Sequence, residues 1–427
     1  MPAIITTKFR LYTSQQFKES FEEAENDNIY LFIGKTTAWE DDQKPLIPLD
    51  NISTTDYNIY NSMIAMKKIN TGFISNVVKR IDWQENQFYD MYDDKEEDLF
   101  NKRFYVLTDD YNVYKILDNN NTSSKIKPSG TDYTPFITSD GYKWQYMFTV
   151  SSSESVKFLT PEWLPLKTIN KDDGSTQWQV QTNTVTGSIE HITIENGGKG
   201  FTTSPKITIT GDGQGAKAKA ILKDGVITKI DITARGSNYS YAFINIANNK
   251  GAVVRAIISP KNGHGSDCVE ELGGYYTMLN VRLEYGEGGV FPVQNDFRNI
   301  GLIINPLEEK TKEKANKLVY PLYSNFTLSE KDRIPFGIDE KITGQNSKAT
   351  GNVIYINSDT IQVNEIVGKF EIGEVIRGNN SGVTGRLAEV KESEIKKYSG
   401  VVIYNENRSP IVRSQDQIED IKLIIEF

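Results

Sequence analysis

The sequence has few of the side chains that most often carry catalysis near neutral pH: one cysteine and two histidines in 427 residues. A single cysteine excludes an internal disulfide framework and suits a protein made and assembled in a reducing cytoplasm. Basic residues are also in deficit, with 48 Lys and Arg against 57 Asp and Glu and a net charge of −9, which argues against a nucleic-acid-binding protein. No apolar run approaches the ~18 residues of a membrane-spanning helix, and the opening MPAIITTKFR lacks the basic and apolar regions of a signal peptide. We therefore expect a soluble protein whose partners are other proteins.

The scarce reactive side chains form no recognisable active site. His191 lies beside a predicted strand without a partner motif. His264, Asp267 and Cys268 could be imagined as metal ligands, but zinc sites usually pair two spaced clusters, and Asp267 is better explained as the N-cap of a short helix. Gly211–Gly215 lacks the Gly-Lys-Ser/Thr of a phosphate-binding loop and is expected to be a hairpin turn. The sequence therefore predicts no catalytic, cofactor-binding or metal-binding residue, and a protein that is not an enzyme.

Apolar patterning predicts a mainly β protein with a few helices, an α+β fold. A helix is expected to follow the first strand, with Ser14 as its N-cap, and a second helix is expected at 53–68. The predicted strands of the first half are Ile4–Arg10, 29–34, 104–117 and 142–150.

The last residues of the sequence are predicted to form a strand within a sheet. An apolar run at 401–404 meets a predicted polar turn at Asn405–Pro410. Alternation then places Ile421, Leu423 and the residues after them at every second position on one face of a strand.

An internal repeat of about 37 residues occupies the region around 185–265. Ile192-Thr-Ile194 recurs as Ile230-Asp-Ile232 with an offset of 38, and Ile207-x-Ile209 recurs 37 residues later. Each unit reads as short alternating strands separated by Gly and Asn. We expect the two units to form one small β-domain, because one unit alone could not bury its apolar face.

A second repeat, with a constant offset of 34 residues, lies within 334–392. Each half reads as a strand, a Gly/Asn/Ser turn and a strand, so that two hairpins can pair into a sheet or a small barrel. Eight positions hold the offset: Phe336, Glu340, Ile342, Gly344, Ser347, Thr350, Gly351 and Val353 match Phe370, Glu374, Ile376, Gly378, Ser381, Thr384, Gly385 and Leu387.

Several motifs outside the repeats share an order with one family of viral proteins. They are Thr7-Lys-Phe-Arg10, Ile29–Lys35 with Trp39, Arg80-x-Asp82-Trp83, Asp140-Gly-Tyr142-x-Trp144, Phe297-Arg298-x-Ile300, and Ile403-Tyr-x-Glu-Asn-Arg408-x-Pro410 with Asp416-Gln417. In these motifs the chain resembles the baseplate wedge protein of T4-like contractile-tailed bacteriophages, the dimeric wedge subunit. The resemblance covers the beginning, middle and end of the chain and leaves the two repeats as gaps.

The resemblance implies a discontinuous β-rich scaffold interrupted by two inserted β-domains. Insertion into a loop is tolerated when the inserted ends lie close together. The predicted scaffold is 1–184, 266–333 and 393–427, and the predicted inserts are 185–265 and 334–392.

The resemblance also implies a function. The chain would be a non-enzymatic structural subunit of a phage tail baseplate, located in the virion tail and assembled in the host cytoplasm. It would form a homodimer, link other wedge proteins and help to transmit the change that triggers sheath contraction. It would need no cofactor, nucleic acid or membrane.

An alternative hypothesis is a tail-associated protein that binds host-surface glycans through loops of the inserted domains. Small repeated β-modules often display such loops. Tyr239 and Tyr241, in a Gly/Asn-rich turn, are the candidates for stacking on sugar rings.

The motifs supply the candidate interface residues, in which Arg, Tyr and Trp are typical anchors. Core packing and turn geometry are the competing explanation. Arg408 is the first choice for a buried, charge-assisted contact, with Asp416 or Glu419 as its partner. The full set is Arg80, Asp82, Trp83, Tyr142, Trp144, Arg298, Arg408, Pro410 and Asp416.

Overall fold

A computed structural model describes residues 4–21, 27–49, 54–332, 335–414 and 416–427. Strands dominate these residues, which confirms the prediction of a mainly β protein with a few helices. The α-helices of the described ranges are α1 (Thr7–Glu19), α2 (Thr54–Ser62), α3 (Ser152–Phe158), α4 (Thr176–Thr182) and α5 (Cys268–Leu272). The strands of the first half are β1 (Ile29–Gly34), β2 (Met63–Lys68), β3 (Ile74–Lys79), β4 (Tyr105–Leu107), β5 (Asn112–Asp118), β6 (Phe136–Ile137), β7 (Lys143–Thr149), β8 (Trp163–Leu166), β9 (Ile189–Gly197), β10 (Ile207–Gly211) and β11 (Gln214–Lys223). The remaining strands are β12 (Val226–Ser237), β13 (Ala242–Ile246), β14 (Ala252–Ile258), β15 (Tyr276–Leu283), β16 (Phe297–Ile304), β17 (Val319–Pro321), β18 (Ser324–Lys331), β19 (Lys341–Gly344), β20 (Thr350–Asn357), β21 (Thr360–Val367), β22 (Val375–Gly378), β23 (Thr384–Lys391), β24 (Val401–Ile411) and β25 (Glu419–Glu426).

The chain divides into two compact units. Unit 1 comprises Met1–Gln16, Ser75–Met278 and Ile424–Phe427, and unit 2 comprises Phe17–Ile74 and Leu279–Leu423. The predicted scaffold and inserts form a different division, which stays a prediction. The boundary predicted between 333 and 334 lies at residues outside the described ranges.

Unit 1 is centred on an antiparallel sheet of order β4-β5-β7-β6. The middle five residues of β5 and of β7 are all buried, so both faces of these strands are covered. Tyr114 and Trp144 belong to the aromatic core on one face, whereas Val113 and Phe148 belong to a second, more aliphatic core. Close by, β3 pairs with β8.

The first repeat forms three antiparallel strand pairs in unit 1. The pairs are β9 with β14, β10 with β13 and β11 with β12. Each strand of one repeat (β9–β11) therefore pairs with a strand of the other (β12–β14). The repeat-equivalent Ile192 and Ile230 lie in one shared core. Neither repeat has a complete core by itself.

Unit 2 contains an antiparallel sheet of order β17-β2-β1-β16-β24. All six residues of β1 are buried, as expected for a central strand. Tyr30 and Phe32 of β1 pack with Met66 of β2 and Ile303 of β16 in the main hydrophobic core of unit 2.

Unit 2 also contains a closed barrel of order β18-β21-β20-β19-β22-β23. It takes in the second repeat together with β18, which lies before the predicted boundary. The equivalent strands β19 and β22 pair antiparallel in a symmetric register: Ile342 faces Gly378, and Gly344 faces Ile376. The barrel therefore has an internal two-fold arrangement of three strands each.

The carboxylate of Glu340 joins the two halves of the barrel. This residue is 3% exposed. Its oxygens accept hydrogen bonds from the backbone N–H groups of Asn380 (2.8 Å) and Ser381 (2.6 Å) and from the Ser381 hydroxyl (2.9 Å), all in the other repeat. The N–H of Gly337 donates a fourth bond at 2.9 Å.

Glu374 makes the reciprocal set of contacts. It is 2% exposed and accepts bonds from the N–H groups of Asn346 (3.1 Å) and Ser347 (3.1 Å) and from the Ser347 hydroxyl (2.8 Å). The N–H of Glu371 supplies the fourth at 2.7 Å. Each repeat therefore provides the acid that closes the turn of the other, and we call this pair of contacts the reciprocal clasp.

The structure corrects the sequence prediction at the N-terminus. Helix α1 starts at Thr7, where a strand was predicted, and the Thr6 hydroxyl accepts the N–H of Phe9 at 3.2 Å in the N-cap arrangement. Ser14 lies inside this helix instead of at its start. It is fully buried, and its hydroxyl is 2.9 Å from that of Thr277.

Two further predictions are wrong in detail. The helix predicted at 53–68 ends at Ser62, and the apolar run from Met63 is β2, because a buried run does not distinguish helix from strand. Residue 53 lies outside the described ranges. The turn predicted at 405–410 is instead part of β24.

Candidate interaction sites

Arg80, Asp82 and Trp83 follow β3 and are held by contacts within unit 1. Arg80 Nε donates to Asp82 Oδ1 at 2.9 Å, and its Nη1 donates to the carbonyl of Thr160 at 3.1 Å. Trp83 is half-buried and donates its indole N–H to the Ser124 hydroxyl at 3.0 Å. The group fixes a loop, and the Asp82 side chain stays 47% exposed.

Tyr142 and Trp144 are fully buried in the aromatic core of unit 1. Their rings stack with centroids 5.2 Å apart. The Trp144 indole N–H donates to the Thr138 hydroxyl at 3.0 Å, and the Tyr142 hydroxyl donates to the carbonyl of Thr122 at 2.6 Å. In this structure both side chains pack the core and satisfy buried polar groups.

Arg298, on β16, makes a forked ion pair with Asp42. Its Nε and Nη2 each lie 2.9 Å from a different oxygen of that carboxylate, and its Nη1 donates to the carbonyl of Thr36 at 2.6 Å. The Arg298 side chain is 7% exposed. The hydrogen bond from Arg298 lowers the pKa of Asp42. The pair braces the loop after β1 against the sheet.

The expectation of a buried contact at Arg408 is wrong. Arg408 is 48% exposed and pairs with Glu406, two residues away on the same strand, at 2.7 Å. Pro410 is half-buried at the end of β24, and Asp416 is an exposed turn residue with a positive φ of 63°. The buried partner of Glu419 is Arg413 instead.

Arg413 is the buried arginine that sequence reasoning missed. Its side chain is 1% exposed, and Nε and Nη2 each lie 3.1 Å from an oxygen of Glu419. Nη1 also donates to the carbonyl of Pro292 at 2.9 Å. The sequence does not show which of Arg408 and Arg413 is buried. The carbonyl groups that bind Arg413 belong to a segment far away in the sequence.

The two tyrosines proposed to contact glycans have different environments. Tyr239 is 5% exposed and packs in the core of the first repeat, so the expected exposure is wrong for this residue. Tyr241 is 52% exposed and lies 5.8 Å from the ring of Phe243, which is 65% exposed. The glycan hypothesis for this region now depends on Tyr241 and stays a prediction.

A buried polar cluster in unit 1 is a second feature that sequence reasoning missed. Lys115 is fully buried with its Nζ 2.8 Å from Glu271 Oε2 and 4.1 Å from the Tyr92 ring centroid. Burial lowers the pKa of Lys115 and of His264 and raises that of the Cys268 thiol. The thiol is therefore held in its protonated, weakly nucleophilic form.

Asp267 has its predicted role at the start of α5. Its carboxylate accepts the N–H groups of Val269 (2.9 Å) and Glu270 (3.0 Å). Among the described residues, no group of three or more His, Cys, Asp or Glu side chains has a metal-binding arrangement. Within the same ranges, no helix is long and apolar enough to cross a membrane.

The comparison with known proteins gives a distant match over part of the chain. No family model matches the chain. The chain is similar to the baseplate wedge protein gp8 of Enterobacteria phage T4, with 24% identity over 222 residues. The match covers 42% of this chain and 66% of the length of that relative.

Proposed function

We propose that the chain is a structural subunit of a phage tail baseplate wedge. It forms a homodimer, links neighbouring wedge proteins and helps to transmit the conformational change that triggers sheath contraction. The observation that carries this proposal is the similarity to gp8 of phage T4. The mainly β fold is compatible with it.

The internal bracing of each unit supports the proposed mechanical role. A subunit that relays a movement through its interfaces has to keep its own shape. In unit 2 the ion pair Arg298–Asp42 joins segments far apart in sequence. Arg413, paired with Glu419 six residues away, also donates to the carbonyl of the distant Pro292. The ion pair Lys115–Glu271 joins distant segments in unit 1.

The N-terminal segment of unit 1 exposes a group of large apolar side chains. Ile4, Ile5, Phe9 and Tyr12 are 85%, 71%, 59% and 59% exposed. Large exposed apolar side chains close together in sequence are typical of protein–protein contacts. We place the contact with the second copy of the chain at this segment.

Light scattering on the full-length chain tests the dimer. At micromolar concentration we expect about twice the chain mass of 48.3 kDa. Phe9→Asp with Tyr12→Asp should give a monomer with an unchanged melting temperature, because both side chains are exposed. Val156→Asp, at a side chain 68% exposed on α3, is the matched control and should remain dimeric. A monomeric wild-type chain would contradict the dimer. A dimeric Phe9/Tyr12 variant would contradict only the assigned surface.

Labelling of virions tests the location independently. Gold-conjugated antibodies raised against the purified chain should mark the end of the tail in negative-stain electron micrographs. Labelling of the capsid or the tail tube alone would contradict the baseplate assignment.

A further inference from the structure

Lys115 of β5 and Glu271 of α5 form an ion pair inside unit 1 that is shielded from water. The two side chains are 0% and 2% exposed, and Lys115 Nζ lies 2.8 Å from Glu271 Oε2. Moving two charged groups out of water is costly, and their mutual attraction often fails to offset that cost. A proton transfer from Nζ to Oε2 removes both charges at once and leaves a neutral amine against a neutral carboxyl group.

The surroundings of Lys115 favour its amine form. Burial lowers the pKa of Lys115, although the charge of Glu271 opposes this shift. The ring of Tyr92 covers the nitrogen, with its centroid 4.1 Å from Nζ. An unprotonated lysine amine in an apolar pocket is a nucleophile. The atom beyond Oε2 is the carboxyl carbon of Glu271, which is the electrophile that an amine attacks to form an amide.

The second oxygen of Glu271 is held by hydrogen-bond donors from the loop before α5. Oε1 accepts the backbone N–H groups of Gly265 at 2.7 Å and Asp267 at 3.2 Å, and the Ser266 hydroxyl lies 3.4 Å away. Backbone N–H groups that converge on one oxygen stabilise the negative charge that develops there when a carboxyl carbon is attacked. The donors therefore fix Oε1 in place and leave Oε2, which faces the lysine, as the oxygen able to depart.

His264 is the group placed to carry a proton. Its Nδ1 lies 3.9 Å from Glu271 Oε2 and has no hydrogen-bond partner among the described residues. Burial holds the pKa of His264 well below its usual value, so the imidazole is neutral. A neutral imidazole can accept a proton and pass it on. A movement of about 1 Å brings Nδ1 within hydrogen-bond reach of the pair.

We propose that Lys115 and Glu271 become joined by an amide (isopeptide) bond, which forms in the folded protein without an added reagent. One proton passes from Nζ to Oε2, and the free amine attacks the carboxyl carbon while Oε1 holds the negative charge. A second proton leaves Nζ and reaches Oε2 through His264, the C–Oε2 bond breaks, and water departs. An ammonium and a carboxylate thus give one amide and one water molecule, with nothing oxidised or reduced.

The bond would link two segments that lie far apart in the sequence. Lys115 and Glu271 are 156 residues apart, so the linked chain contains a large closed loop that persists in denaturant. This inference does not depend on the assignment as a baseplate subunit.

Peptide mapping by mass spectrometry on the purified full-length protein tests the bond. Trypsin does not cleave after a lysine whose amine belongs to an amide. Residues 104–125 should therefore be recovered joined to residues 262–282, at the sum of the two peptide masses less one water molecule. Fragmentation should place the link at Lys115 and Glu271. Separate peptides with cleavage after Lys115, or a link at Glu270 instead, would overturn the proposal.

The ion pair of Lys167 with Glu154 is a control within the same molecule. Its Nζ–Oε1 distance is 2.9 Å, close to that of the buried pair, but the side chains are 43% and 22% exposed. Water stabilises both charges at such a site, so these two residues should be recovered unlinked. A link at both pairs would show that burial does not direct the reaction, and would overturn the proposal.

Two variants test the chemistry. Lys115→Arg keeps the positive charge but removes the nucleophile. It should abolish the joined peptide and, because the loop is then open, migrate more slowly than the wild type on a denaturing gel. An unchanged gel position in this variant would contradict a bond in the wild type. Should the variant fail to fold, the peptide map of the wild-type chain still decides.

His264→Gln should slow the appearance of the joined peptide after refolding by about tenfold or more. The rate of folding, followed by tryptophan fluorescence, should stay unchanged, which separates proton transfer from a structural effect. Bond formation at the wild-type rate would overturn the role assigned to His264.

Discussion

The reciprocal clasp of the barrel predicts that a substitution in one repeat will open the turn of the other. Glu340→Gln keeps the size of the side chain and removes its charge. The amide that replaces one carboxylate oxygen then faces N–H and hydroxyl donors instead of accepting from them. Three of the four donors to this carboxylate belong to Asn380 and Ser381, 40 and 41 residues further along the chain.

The magnitude follows from the number of bonds. Each carboxylate accepts four hydrogen bonds at 2.6–3.1 Å. A hydrogen bond to a buried charge contributes roughly 1.5–3 kcal/mol, and glutamine retains one acceptor oxygen and part of the set. We expect Glu340→Gln and Glu374→Gln each to destabilise the barrel by about 3 kcal/mol. The two values should agree closely, because the contacts are equivalent.

Hydrogen exchange measured by mass spectrometry on the full-length chain is the appropriate assay, because it reports local opening in a protein with several cooperative parts. Glu340→Gln should deprotect the turn at 380–381 most, and Glu374→Gln should deprotect 346–347. Glu371→Gln, at an exposed side chain, is the matched control and should change neither turn. Equal deprotection of both turns by either variant, or none by both, would refute the reasoning.

The clasp also has a defined pH dependence. Burial alone would raise the pKa of Glu340 and Glu374, but the bonds from backbone and serine donors lower both below the usual 4.5. A pKa that is lower in the folded state stabilises the fold fully above the unfolded-state value. That contribution is lost as the pH falls through the folded-state value. Protection of the two turns, corrected for intrinsic exchange, should therefore decrease below about pH 4.5. A variant with Gln at both positions should show little of this dependence.

Two further predictions concern buried ion pairs, with free energies of unfolding from chemical denaturation as the measurement. Arg413→Met should lower the free energy of unfolding by about 3–5 kcal/mol, because it leaves Glu419 buried and unpaired. Arg408→Ala, at an exposed ion pair, should lower it by less than about 1 kcal/mol. Equal losses would show that burial does not determine how much each arginine stabilises the fold. Lys115→Met should cost about 3–5 kcal/mol for the same reason, and adding Glu271→Gln should recover about 2 kcal/mol of it, since the uncompensated charge is then removed. Simple additivity of the last two substitutions would mean that the pair is not coupled.

The strand content and the two repeats could be predicted from the sequence, because both produce local or periodic patterns of residues. The apolar run of β1 was recognisable as a strand. The offset of 34 residues anticipated two similar halves, and the structure joins them in one barrel. The repeated acid of Glu340 and Glu374 was part of that pattern. An acidic residue that recurs among apolar positions indicates a buried carboxylate that accepts hydrogen bonds. Its donors can be identified only from the folded structure.

Other features depended on contacts between distant segments. Ser14 resembles an N-cap in sequence, but Thr277 satisfies its hydroxyl inside a helix. The polar run at 405–410 resembles a turn, but Asn299 on β16 binds the side chains of Asn405 and Asn407 and keeps the run in a strand. No local pattern contains this information.

The symmetry of the barrel makes one half of it dependent on the other in a specific way. A single repeat, cut out of the chain, would carry a buried acid without donors and a turn without an acceptor. Both needs are met by a second identical copy related by a two-fold axis, which is the isologous geometry of a homodimer. The barrel is therefore equivalent to a symmetric dimer joined into one polypeptide. A glycine such as Gly344 contributes to both partners at once, because a Cβ there would lie 2.5 Å from Ser347 Oγ of its own repeat and 2.6 Å from Glu374 Oε2 of the other.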